Sequence, residues 1–122
     1  IKTPLRYPGG KSKVVEKKIA PQFPAFDEFR EAFLGGGSVF LHTRQLFPDK
    51  QYWINDLYPE LYLLWLNAQN DMHGLLKQIW SWRRTHLEGK KLFRFLINEM
   101  PGFSDLEKAA AFFILNRITF SG

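Results

Sequence analysis

Three consecutive glycines, Gly35-Gly36-Gly37, stand between two segments of different periodicity, and few folds tolerate such a run there. The preceding "FDEFREAF" is bounded by Pro24 and the glycines and reads as a strand. The following "SVFLHTRQLF" has apolar residues at Val39, Phe40, Leu41 and Leu46 and stops near Pro48, as a helix would. "QYWIND" then reads as a second strand that ends on Asp56. Strand, glycine turn, helix and strand together predict an α/β fold.

Glycines in the first turn of such a unit, with an acid about 20 residues on, are the pattern of a site for an adenosine-containing ligand. Glycine lets the ligand approach the backbone, the helix N-terminus offers N–H groups, and the acid accepts ribose hydroxyl protons. The run is not G-x-G-x-x-G, because Phe40 stands where the third glycine would be. A pyrophosphate dinucleotide is therefore disfavoured. An adenosine cofactor without phosphates fits better, and S-adenosylmethionine is the common one.

A second glycine pair lies in "YPGGKS". A phosphate-cradling P-loop would need glycine at position 5, where Leu5 stands, so a P-loop nucleotide-binding protein is the weaker reading. Gly9 and Gly10 instead supply a tight turn that presents Lys11, with Ser12 as N-cap of a short basic helix in "SKVVEKKIA" that ends before Pro21.

The remainder has helical patterning. "YPELYLLWLNAQNDMHGLLKQIW" places Pro59 in a first turn and predicts a long helix broken near Asn70 or Gly74. "SWRRTHLEGKKLFRFLINEM" reads as two helical pieces. "SDLEKAAAFFILNR" opens with Ser104 and Glu107 at capping-box spacing. Trp65, Phe112 and Phe113 are expected in the core.

With 122 residues, 45% of them hydrophobic, the chain can bury a real core. The formal charge of +5 favours a polyanionic partner. Its cations cluster at Lys2, Arg6, Lys11, Lys13, Lys17 and Lys18, and again at Arg83, Arg84, Lys90, Lys91 and Arg94. A DNA-binding module without cofactor would explain this charge but not the glycine turn or Asp56. The absence of cysteine suits a reducing compartment and excludes thiolate sites, and no apolar run or leader signals a membrane, so a cytoplasmic location is expected. His42, His73 and His86 share no metal-ligand spacing, and no metal is expected. A start at Ile1 and a stop just after a helix suggest a piece of something longer.

Four segments in order, "PLRYPGGKS", "EAFLGGGSVF", "INDLYPELY" and "LNRITFSG", resemble the Dam-like (D12) N6-adenine DNA methyltransferases over essentially the whole chain. The resemblance implies a Rossmann-like S-adenosylmethionine-dependent methyltransferase sheet, present in part, with residues 1–70 as part of the cofactor-binding domain, 71–122 as the start of a helical target-recognition region, and double-stranded DNA as partner. It nominates Tyr7 and Lys11, with the backbone of Pro8, Gly9 and Gly10, for the methionine end of the cofactor. Glu31, Ala32, Phe33, Leu34, Gly35, Gly36 and Gly37 would form the pocket wall, leading into Ser38, with Ala32 in place of the family's proline. Asp56 would hold the ribose. Asn116 and Arg117 would face DNA, joined by Arg83 and Arg84 from the aromatic and basic stretch. The family's catalytic Asp-Pro-Pro-Tyr motif, which follows the Asn-Arg segment, does not occur in these 122 residues. The implied activity is that of a bacterial or phage DNA-modification enzyme, with the isolated piece inactive.

Overall fold

The computed structural model describes residues 2–7 and 9–119. The chain divides into two compact units, one up to Leu57 and one from Tyr58.

The first unit is built on a β-α-β core. Strand β1 (Glu28–Glu31) runs parallel to β2 (Gln51–Ile54), with Glu28 opposite Gln51 and Glu31 opposite Ile54. Both strands alternate exposed and half-buried positions, as expected where one face is covered. Helix α1 (Ser38–Leu46) connects them. On the covered face Tyr52 meets Phe29 and Phe40, each at a ring-centroid distance of 5.6 Å. The Tyr52 hydroxyl donates to the carbonyls of Thr43 (3.0 Å) and Phe47 (2.8 Å), which ties the last turn of α1 to the sheet. Phe23, Phe26 and Phe47 extend this aromatic cluster.

The expected basic helix takes another form. Residues Val15–Ile19 make a wide π-type turn, and Ala20–Gln22 make a 3-10 turn that contains Pro21. Proline has no N–H and cannot continue an α-helical ladder, so the chain changes pitch as it approaches residue 21. Ser12 does not cap this segment: Val14 occupies the cap position, with no side-chain hydrogen bond.

The second unit is helical: α2 (Pro59–Asn70), α3 (Met72–Thr85), α4 (Gly89–Glu99) and α5 (Asp105–Thr119). The last of these is central and packs on the other three. Ala109, Ala110 and Ala111 are all fully buried, because a helix covered on several sides needs small side chains where its neighbours approach. Leu61 and Leu64 of α2, Leu75, Ile79 and Trp82 of α3, and Leu92 and Leu96 of α4 complete the core. The capping box forms as read: Glu107 N–H donates to Ser104 Oγ, and Ser104 N–H donates to Glu107 Oε1. The break in the long helical pattern falls at Asp71, whose carboxylate accepts the Gly74 N–H at 2.9 Å. Trp65, Phe112 and Phe113 are half-buried rather than enclosed.

The division between the compact units falls between Leu57 and Tyr58, and α2 packs on α5 within the second. The molecule is thus mixed α/β, with a two-stranded parallel sheet and a predominance of helix. Among the described residues no helix is long and apolar enough to cross a membrane.

Candidate functional site

Parallel strands deliver the residues that follow them to one end of the sheet, and here both C-terminal ends carry polar groups. Past the last paired residues the ladder continues: Asn55 N–H donates to Glu31 O, and Leu34 N–H to Asn55 O, both at 2.9 Å. One step further, Gly35 N–H donates to Asp56 Oδ2 at 2.9 Å. The glycine run and Asp56 therefore meet across 21 residues of chain.

The turn itself is buried from Leu34 to Gly37. Gly35 and Gly37 adopt φ of +55° and +75°, a left-handed conformation that a side chain disfavours. Gly37 then stands as N-cap of α1. A β-carbon on Gly35 would lie 3.0 Å from the Tyr7 ring, and one on Gly36 3.1 Å from the Tyr7 β-carbon. The Thr3 hydroxyl donates to the Gly36 carbonyl. The opening segment and the glycine turn, 28 residues apart at Tyr7 and Gly35, thus pack together. Thr3 carried no signal in the sequence; its role exists only once the two segments touch.

Glu31 is half-buried, and its Oε2 has no hydrogen-bond partner among the described residues. Burial pushes its carboxyl up to about 7, against the opposing pull of the Phe40 N–H at the start of α1. A buried oxygen left unpartnered is costly unless something polar or cationic is to meet it.

The other nominated residues lie in different settings. Gly10 N–H closes a turn on the Tyr7 carbonyl (3.1 Å), Gly9 has φ of +73°, and the Lys11 ammonium donates to Gly9 O at 2.7 Å from an exposed position. Pro8 lies outside the described residues. Ser38 is half-buried at the helix start, Ala32 is exposed, and the Phe33 side chain is 76% exposed. In the helical unit Arg83 and Arg84 are exposed in the last turn of α3, and Arg117 is exposed on α5, whereas its neighbour Asn116 is buried at 5% exposure. Trp82 belongs to the core, stacked on Phe103 at 5.0 Å, while Trp80 is exposed. Phe120, Ser121 and Gly122 of the "NRITFSG" segment lie outside the described residues.

A sequence model of the family described as D12 class N6 adenine-specific DNA methyltransferase matches residues 7–122. The chain is similar to the type II methyltransferase M.MjaIII of Methanocaldococcus jannaschii, with 24% identity over 136 positions that cover 100% of this chain and 47% of that protein. It is also similar to the DNA N-6-adenine-methyltransferase of Escherichia phage P1, with 29% identity over 97% of this chain and 15% of that one. The chain therefore spans about half the length of the first relative and a smaller share of the second.

Proposed function

The chain belongs to the D12 class N6 adenine-specific DNA methyltransferases, and from that premise we propose that it is the cofactor-binding and DNA-approaching part of an enzyme that methylates N6 of adenine in double-stranded DNA. The observation that carries the reading is the convergence of the glycine turn, Glu31 and Asp56 at the C-terminal ends of β1 and β2. Open α/β sheets take ligands at that end. We read the β-α-β core as part of a Rossmann-like sheet.

The residues present suit S-adenosylmethionine. The glycine turn brings Tyr7 and Asp56 to one place, and the unpartnered Glu31 oxygen suits a ligand that carries cationic groups. When bound, the cofactor supplies an activated methyl group. Asp56 orients the ribose with its carboxylate while holding the Gly35 N–H; Tyr7 and Lys11, with the 8–10 turn, flank the methionine end. Gly35, Gly37, Ser38, Glu31 and Phe33 shape the pocket wall. Arg83, Arg84 and Arg117 contact DNA phosphates and Asn116 steadies α5 beneath them. The target adenine leaves the stack to reach the cofactor. The adenine amino group is a poor nucleophile, and the Asp-Pro-Pro-Tyr motif that would accept its protons is missing from these 122 residues. They therefore bind without turning over.

Calorimetric titration with S-adenosylmethionine tests the site. Asp56→Asn keeps an oxygen for the Gly35 N–H but removes the charge, so binding should weaken by about 1.5–3 kcal/mol, roughly tenfold to a hundredfold. Equal affinity for wild type and variant would remove Asp56 from the ribose site. Absence of binding by both this chain and the longer protein that contains it would overturn the cofactor reading.

A further inference from the structure

Helix α4 presents a face that neither its packing nor the site above uses. Leu92 and Leu96 turn inward at 1% and 0% exposure, and Phe95 packs edge-on against Trp82 and stacks on His86. Lys90, Phe93, Arg94 and Ile97, at spacing i, i+3, i+4 and i+7, make one outward face. Gly89, Lys90, Phe93 and Arg94 line a groove of about 410 Å³ with Ile118 of α5. The Phe93 ring is 40% exposed. The nearest carboxylate in sequence, Glu88, is taken up by Lys91 at 3.5 Å. Lys90 and Arg94 have no ion-pair partner among the described residues. Exposed Arg117 precedes Ile118 in the chain and adds a further cation next to the groove's α5 wall.

An apolar floor flanked by Lys90 and Arg94 matches a ligand that is anionic at intervals and apolar between them. We propose that the α4–α5 groove grips the sugar–phosphate backbone of DNA, with Lys90 and Arg94 on phosphates and Phe93 and Ile118 against the sugar. The Arg94 fork can take two phosphate oxygens, while Lys90 acts as a point charge. Such contacts set affinity and register without reading sequence. The proposal rests on the reading that this chain acts on DNA, and it puts the main backbone grip on α4 rather than on Arg83 and Arg84.

Fluorescence anisotropy of a labelled duplex over a salt series tests it, with circular dichroism to confirm that each variant is folded. Lys90→Ala/Arg94→Ala should bind roughly tenfold more weakly at low salt and show a salt slope smaller by about two, one unit per lost phosphate contact. Phe93→Ala should weaken binding severalfold with the slope unchanged. Lys17→Ala/Lys18→Ala makes the same change in charge on the first unit and should leave the slope nearly intact. An equal fall in slope for that control, or equally tight binding of polyglutamate, would reduce the groove to general surface charge and overturn the proposal. Wild-type affinity in the α4 double variant would overturn the groove and leave the proposed function standing. Failure of the wild-type chain to bind duplex would overturn both.

Discussion

At the scale of single residues, Glu31 departs furthest from ordinary behaviour. Its carboxyl, raised to about 7 by burial, holds a proton in the folded chain that the unfolded chain releases near 4.5. Its contribution to stability is fully present below the unfolded value and is lost as the pH rises through the folded one, because the fold must then carry a buried charge. Glu31→Gln should therefore melt with the wild type near pH 4 and above it near pH 8. The margin is on the order of 1 kcal/mol, since water reaches this half-buried group and screens it. Thermal melts at the two pH values check this, and a constant difference would show that the carboxylate is solvated. This residue was marked in the sequence only by the family resemblance of its segment. Its unpartnered oxygen was not, because burial depends on how α1 closes over β1.

At the scale of elements, Asp71 and Gly74 act as a pair. Asp71 ends α2, caps α3 and occupies the space that a β-carbon on Gly74 would need. Asp71→Ala should cost about 1 kcal/mol. Gly74→Ala should be close to neutral alone, since it displaces the cap while gaining up to about 1 kcal/mol of helix propensity. Added to Asp71→Ala, it should recover much of the loss, and melts that give strictly additive effects would break the pairing. The pattern of the sequence marked a break near Asn70 or Gly74, and Asp71 lies between them. β1, β2, α1 and the Ser104 box were also legible, since each is set by local periodicity or capping chemistry. The packing of α2 on α5, where Leu61 and Leu64 are buried, was not, because it joins segments some fifty residues apart in sequence, which no local pattern encodes. The π-type turn at Val15–Ile19 was read as a regular helix because its apolar spacing fits either pitch.

At the scale of the whole molecule, the two units differ in what protects them. The helical unit centres on α5, with Ala109–Ala111 at 0% exposure and Ile114 at 2%, whereas the first unit rests on a sheet of two strands, which has little stability of its own. Amide hydrogen exchange should be slowest in α5 and faster in β1 and β2, and S-adenosylmethionine should slow exchange in the first unit alone. Slowing confined to the helical unit would place the ligand elsewhere. The hydrogen bonds that run on past the strand ends, Leu34 to Asn55 and Gly35 to Asp56, carry one more implication. A slip of β2 by a single residue would turn its side chains to the other face and bring Asn55 or Leu57 opposite Gly35, where neither offers a carboxylate. The meeting of Gly35 with Asp56 then exists only in the correct alignment, so a misaligned copy would lack the proposed site rather than carry a distorted one.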